Sequence, residues 1–232
     1  IKKNNFKKRV ITSIFLLALF ILMYLSNILF LFVVLVACVY SFLEFSRMIK
    51  IIFKQNIVYQ LMLNVIFCLY AFFLSTLIVI MSINPFSKMI LFFIILVSVL
   101  SDIGGYIFGK ILKGPKLTKI SPKKTYSGVI GSFLISLLFG LIYIKYLGKK
   151  SRILLETDPI FIILLILFIS FVSQIGDLII SYFKRKAKLK DTGKILPGHG
   201  GFLDRIDGII FVMPVTFLCV LPILISKLNL IK

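Results

Sequence analysis

Asp177, Ser181 and Lys184 follow one another at intervals of four and three residues, so a continuous helix aligns a carboxylate, a hydroxyl and an ammonium on one face. Asp204 and Asp207, three apart, pair in the same way at the expected start of the next helix. The turn before them, Pro-Gly-His-Gly-Gly at 197–201, allows close backbone approach to a ligand, and a helix N-terminus favours anions. Carboxylates facing Lys and Arg across a loop suit a polyphosphate carried with a divalent cation. The acids hold a hard cation through oxygen, and the bases neutralise phosphate oxygens. A weaker version lies upstream, where Asp102 precedes Gly104, Gly105 and Gly109, and the run 120–128 offers Ser121, Lys123, Lys124 and Thr125 as phosphate donors. Taken singly, each acid reads as a helix-end carboxylate beside a lysine, and the upstream run as a basic solvated loop. Their clustering on one side of the apolar segments favours a site.

The elements that must position these groups are membrane helices. Of the 232 residues 60% are hydrophobic and 16% charged, and mean hydropathy is +1.10, which excludes an ordinary soluble chain. Runs of the length that crosses a bilayer, about 20 residues, occur at 10–25, 28–45, 57–81, 89–108, 129–147, 160–183 and 209–225. Seven spans are therefore expected, with six to nine open, because the third run is long enough to break near 70–75 and the first two are separated only around Asn27. Long, unalternating apolar runs exclude barrel strands. The fold class is an all-α, polytopic membrane bundle in one domain over 1–232, with N-terminal helices at about 10–81 and a catalytic region at about 89–225.

The 28 Lys and Arg against 8 Asp and Glu give a net charge of +20. With the N-terminus placed in the cytoplasm, 21 of the 28 bases fall in 2–9, 47–54, 110–124 and 184–205, all on the cytoplasmic side. That asymmetry sets the orientation and puts both polar loops in the cytoplasm. Lys145, Lys149, Lys150 and Arg152 form a dissenting patch on the other face, partly offset by Glu156 and Asp158. No zinc-finger spacing or basic helix supports nucleic acid as a partner, so the positive loops are assigned to anionic headgroups or a phosphorylated substrate. Cys38, Cys68 and Cys219 are far apart inside apolar runs and read as small apolar residues rather than a disulfide or thiolate metal set. The basic start and first apolar run lack a small-residue cleavage site and read as a retained span, not a signal peptide. The chain opens on Ile1, so a non-standard start or missing residues are both open.

The segment 181–207 resembles the signature of the phosphatidate cytidylyltransferases, also called CDP-diacylglycerol synthases. The matching positions are Ser181, Lys184, Arg185, Lys190, Asp191, Gly193, Leu196, Pro197, His199, Gly200, Gly201, Asp204, Arg205 and Asp207. The likeness continues upstream through 175–177, 121–125, 102–110 and 8–12, in the expected order. It implies transfer of a cytidylyl group from CTP to phosphatidic acid, giving CDP-diacylglycerol and pyrophosphate, with Mg²⁺ required and a monovalent cation such as K⁺ assisting. By the match of motif, Asp177, Asp204 and Asp207 bind the metal and act with Lys184 and Arg205 in catalysis. Ser121, Lys124, Thr125, Ser181, Arg185 and Lys190 contact nucleotide or lipid phosphates, and Asp191, His199, Gly200 and Gly201 join the substrate-binding set. The role of His199 stays open between catalysis and fixing the turn. The resemblance also implies a bacterial inner-membrane location and a homodimer.

Three positions depart from the family pattern: Ile180 in place of Glu before the signature Ser, Ser127 in place of Glu or Gln after the upstream run, and Ile103 in place of Ser or Thr after Asp102. The first puts in doubt any part that acid plays in orienting metal ligands. Within enzymes, the alternative is a CTP-dependent lipid-alcohol kinase of similar fold. A CDP-alcohol phosphotransferase shares only the spacing of Asp204 and Asp207. From a different class, an ion or anion transporter would place its acids near mid-span between repeated halves. Here they collect at cytoplasmic helix ends.

Overall fold

The computed structural model describes residues 2–118, 121, 124–148, 158–193, 195 and 200–229, with backbone alone at 2–10, 147–148, 220 and 222–229. Seven helices occur among them: α1 (Lys2–Leu25), α2 (Asn27–Ile52), α3 (Ile57–Ile83), α4 (Pro85–Leu112), α5 (Tyr126–Gly148), α6 (Pro159–Lys186) and α7 (Leu203–Asn229). An isolated bridge joins Lys116 and Thr125. Helices α2 to α5 and α6 are long and apolar enough to cross a membrane, and α1 adds a shorter apolar stretch, Ile11–Leu25. The lipid-facing character is visible on α3, where Leu61, Val65, Leu69 and Phe72 are all more than half exposed. Such a stripe suits hydrocarbon rather than water. The chain is thus an all-helical, polytopic membrane protein.

Local chemistry sets the helix ends. Ser26 caps α2 by accepting from the Leu29 amide at 3.3 Å, so Asn27 opens the second helix instead of lying in a loop. Asn84 accepts from the Phe86 amide at 2.9 Å, with Pro85 in the first turn of α4, where its missing N–H is not needed. The third span does not break near 70–75; α3 runs unbroken through it.

The residues group into two compact units, 1–80 with 182–206 and 81–181 with 207–232. Residues 182–206 of the signature segment group with the N-terminal helices.

In the first unit, Phe45 of α2 stacks on Phe67 of α3 at 4.1 Å and meets Phe183 of α6 edge-on at 5.8 Å. Met48 and Ile49 are fully buried beside it. Lys186 lies over the Phe53 and Tyr182 rings at 5.5 and 5.8 Å. Helix α6 then stops in a Schellman motif: the Leu189 amide donates to Lys184 O at 2.8 Å and the Lys188 amide to Arg185 O at 3.0 Å, with Lys188 at φ 56°.

In the second unit, small residues bring the helices together. A β-carbon added to Gly131 of α5 would overlap the Phe108 side chain and the Gly104 carbonyl of α4. Buried serines pair across α4 and α6, Ser98 with Ser173 and Ser101 with Ser170, each at 2.7 Å, and the Ser132 hydroxyl of α5 donates to Ser101 O at 2.7 Å. Close approach over small residues and hydroxyl bonds is how helices associate in lipid, where hydrophobic burial supplies little drive. Helix α6 meets α7 where Gly176 faces Asp207 O and Phe211, and Gly208 faces Ser173.

Candidate active site

The second unit carries Asp177, Ser181, Asp207 and the loop between α4 and α5. The loop is held by its own backbone: Leu117 N donates to Lys124 O at 2.8 Å, Lys124 N to Ser121 O at 3.0 Å and Tyr126 N to Pro115 O at 3.1 Å. Thr125 caps α5, its hydroxyl accepting from Gly128 N at 3.1 Å. This fold-back directs Lys124 onto α6, where its ammonium meets Asp177 Oδ2 at 2.7 Å and donates to Gln174 O at 3.2 Å. Ser181, one turn along the helix as its spacing predicts, donates to Asp177 Oδ1 at 3.2 Å. Asp207 is buried, with Gly208 N donating to its Oδ1 at 2.9 Å. Asp177 and Asp207 thereby flank the close α6–α7 crossing at Gly176 and Gly208.

The first unit carries Lys184, Arg185, Lys190, Asp191, Gly200, Gly201, Asp204 and Arg205. Asp204 accepts from Lys184 Nζ on Oδ1 at 2.7 Å. Its Oδ2 accepts from Thr192 N at 2.8 Å and Gly201 N at 3.0 Å, and lies 3.1 Å from the Thr192 hydroxyl. The Lys184 and Asp204 side chains are only 11% and 7% exposed. A buried carboxylate needs this many donors, and its place in the first turn of α7 adds the helix dipole. Gly200, at φ +91°, makes the turn into this cluster with no side-chain cost. Arg185 donates to Leu189 O at 3.3 Å, and Arg185, Lys190, Asp191 and Arg205 are exposed.

Sequence reasoning assigned neither Thr192 nor Glu44 to this cluster. Glu44 of α2, 5% exposed, accepts from Phe202 N on Oε1 at 3.0 Å, and on Oε2 from Leu203 N at 2.8 Å and the Thr192 hydroxyl at 2.6 Å. It takes up amides that the first turn of α7 leaves unpaired. The signal available was an acid inside an otherwise apolar run, a placement that demands partners.

The departures from the family pattern have local accounts. Ile180 is buried at 3% exposure, in an apolar setting where a Glu would need partners. The Ser127 hydroxyl pairs with that of Thr125 at 3.0 Å and accepts from Gly114 N at 3.3 Å, which steadies the loop. Ile103 and Asp102 are exposed on α4. Leu196, Pro197 and His199 of the signature, Pro122 and Lys123 of the upstream loop, and the patch at 149–156 lie outside the described residues.

The carboxylates fit a divalent cation by donor chemistry, being hard oxygen ligands. In this arrangement lysines neutralise Asp177 and Asp204, and no group of three candidate metal-ligating side chains stands together among the described residues.

The structure is an all-helical, polytopic membrane scaffold with acids, lysines and glycine-rich turns at helix ends in each unit. In comparison with known proteins, the model of the cytidylyltransferase family matches residues 7–222. The chain belongs to that family. Relatives named phosphatidate cytidylyltransferase include one from Rickettsia bellii, 40% identical over 149 residues covering 61% of this chain and 62% of the relative. One from Rickettsia prowazekii is 47% identical over 135 residues, 55% of each chain. One from Bacillus subtilis is 43% identical over 115 residues, 49% of this chain and 40% of the relative. The matched region thus spans between 40% and 62% of the length of these relatives.

Proposed function

We propose that the protein transfers the cytidylyl group of CTP to phosphatidate, releasing pyrophosphate and forming CDP-diacylglycerol. The observation that carries this reading is the signature cluster itself, in which Lys184 and Asp204 pair in a buried turn built from Thr192, Gly200 and Gly201. Family membership and the relatives' printed names support it.

The lipid phosphate reaches the site as an anion, so no general base is needed. One of its oxygens forms a bond to the α-phosphorus of CTP, the bond from that phosphorus to the bridging oxygen breaks in line, and pyrophosphate leaves with the electron pair. The barrier is chiefly repulsion between anions and the cost of alignment. Lys124, Lys184, Arg185, Lys190 and Arg205 offset the charge. Ser121, Thr125, Ser181 and the 200–201 backbone supply neutral donors. Asp177, Asp204 and Asp207 would hold Mg²⁺, which supplies further neutralisation of the polyphosphate when bound; K⁺ would assist.

The bacterial relatives support an inner-membrane location, and the positive-inside distribution supports an N-terminus and reacting groups on the cytoplasmic side. Exposed apolar helix faces leave room for the homodimer that belongs to the same reading. The test is incubation of purified, detergent-solubilised protein with labelled CTP, phosphatidic acid and Mg²⁺. Lipid-linked CMP with equimolar pyrophosphate is expected. Release of CDP with a phosphorylated lipid alcohol would assign the protein to the lipid kinases instead.

A further inference from the structure

We infer that Glu44 is a positioning residue for this reaction, holding Asp204 and the start of α7 in their working arrangement through Thr192 and the 202–203 amides. The inference rests on the cytidylyltransfer reading for its kinetic consequences and on geometry alone for its structural ones. Glu44 comes from the second helix, 148 residues before Thr192. Its carboxylate accepts three donors, the Phe202 and Leu203 amides and the Thr192 hydroxyl, all on the turn that presents Asp204.

Hydroxyl geometry gives the coupling a direction. Thr192 has one hydroxyl proton, and its oxygen lies 2.6 Å from Glu44 Oε2 but 3.1 Å from Asp204 Oδ2. The shorter contact assigns the proton to Glu44. Asp204 Oδ2 is then held by the two amides of Thr192 and Gly201, while Oδ1 holds Lys184. Removing Glu44 turns the hydroxyl toward Asp204 and leaves two amides of the turn without acceptors. The carboxylate also shapes the turn sterically. A β-carbon on Gly193 would collide with Glu44 Oε1, and one on Gly201 would meet Glu44 Oε2 and the Thr192 hydroxyl. Two glycines of the signature therefore stand where they do partly because this acid fills the space beside them.

The test compares Glu44→Gln, Thr192→Val and Thr192→Ser with the unaltered protein in detergent. Glu44→Gln keeps the size of the side chain but turns an amide NH₂ toward one of the donors. It should lower kcat for CDP-diacylglycerol formation by at least tenfold, with KM for CTP and phosphatidate changed less than threefold. Thr192→Val, which spares all the amide bonds, should lower kcat at least fivefold, and Thr192→Ser should restore it. Hydrogen exchange over 200–206 should quicken at least tenfold in Glu44→Gln, with the other helices unchanged. If Glu44→Gln does not fold, the Val and Ser pair carries the kinetic test. A kcat within twofold of the unaltered protein in inserted Glu44→Gln, or in Thr192→Val, would overturn the inference. Should the unaltered protein make no CDP-diacylglycerol, the functional reading fails by itself, and exchange decides the positioning role: unaltered protection in Glu44→Gln then rejects it.

Discussion

Two lysine–aspartate pairs share a 2.7 Å separation but sit in different surroundings. Lys184 and Asp204 are 11% and 7% exposed, whereas Lys124 and Asp177 are 23% and 26% exposed. Breaking a buried pair strands a charge, at a cost of about 3–5 kcal/mol, while a partly solvated pair contributes about 0–1 kcal/mol. Lys184→Met should therefore lose both activity and stability, with a visible drop in the thermal unfolding midpoint. Lys124→Met should lose activity while its midpoint stays within a few degrees of the starting protein. Equal midpoints for the two variants would contradict this ranking. Asp204→Asn should reduce turnover by on the order of 10²-fold or more, since electrostatic stabilisation at a reacting phosphate is worth several kcal/mol, and a steady-state assay over a Mg²⁺ series checks it. At this scale sequence spacing matches one contact, Ser181 meeting Asp177 one helical turn away, whereas Lys184, aligned with them by spacing, bonds Asp204. Glu44 was not assigned, because a bond across 148 residues leaves no local spacing to read.

Helix boundaries differ from the apolar runs in one direction. The run 28–45 becomes Asn27–Ile52, the run 89–108 becomes Pro85–Leu112, and the run 209–225 becomes Leu203–Asn229. An apolar window measures the stretch that hydrocarbon can solvate. The helix continues through the interface until a cap or turn satisfies its ends. Residues 203–208 matter most, because Asp204 and Asp207, expected at a helix start, lie inside α7 although they precede its apolar run. The crossing of α4 and α5 at Gly104 and Gly131 was not read from the sequence either, since a glycine in a span does not name its neighbour. Gly131→Leu should drive a side chain into Phe108, costing at least the 1–3 kcal/mol typical of overpacking. Ser98→Ala should cost only about 0.6 kcal/mol, the average for a hydroxyl bond between membrane helices. Unfolding midpoints in mild detergent compare the two, and a larger effect for Ser98→Ala would reverse the assignment of what holds these helices.

For the whole molecule, composition decided the solvent and charge decided the expected orientation. With 21 of 28 bases in the segments assigned to the cytoplasm, Lys188 and Lys145 should face opposite sides of the membrane. Both are exposed. After replacement of Cys38, Cys68 and Cys219, Lys188→Cys should react with an impermeant thiol reagent only in inverted vesicles, and Lys145→Cys only in right-side-out cells. The reverse pattern would invert the topology. The grouping of 182–206 with residues 1–80 was hidden from the sequence, because apolar pattern reports which segments enter the bilayer and not which of them later pack together.

The bond from Glu44 to the signature turn bears on how the protein is made. Helix α2 leaves the ribosome well before Thr192, Phe202 and Leu203 have been translated, so its carboxylate must wait for donors still to be synthesised. The start of α7, when it arrives, finds its acceptor already in place. Early helices thus act as a template on which the last-made part of the site is completed. A nascent chain stalled before residue 192 would hold an acid in search of partners, the kind of exposed defect that membrane quality control is suited to detect.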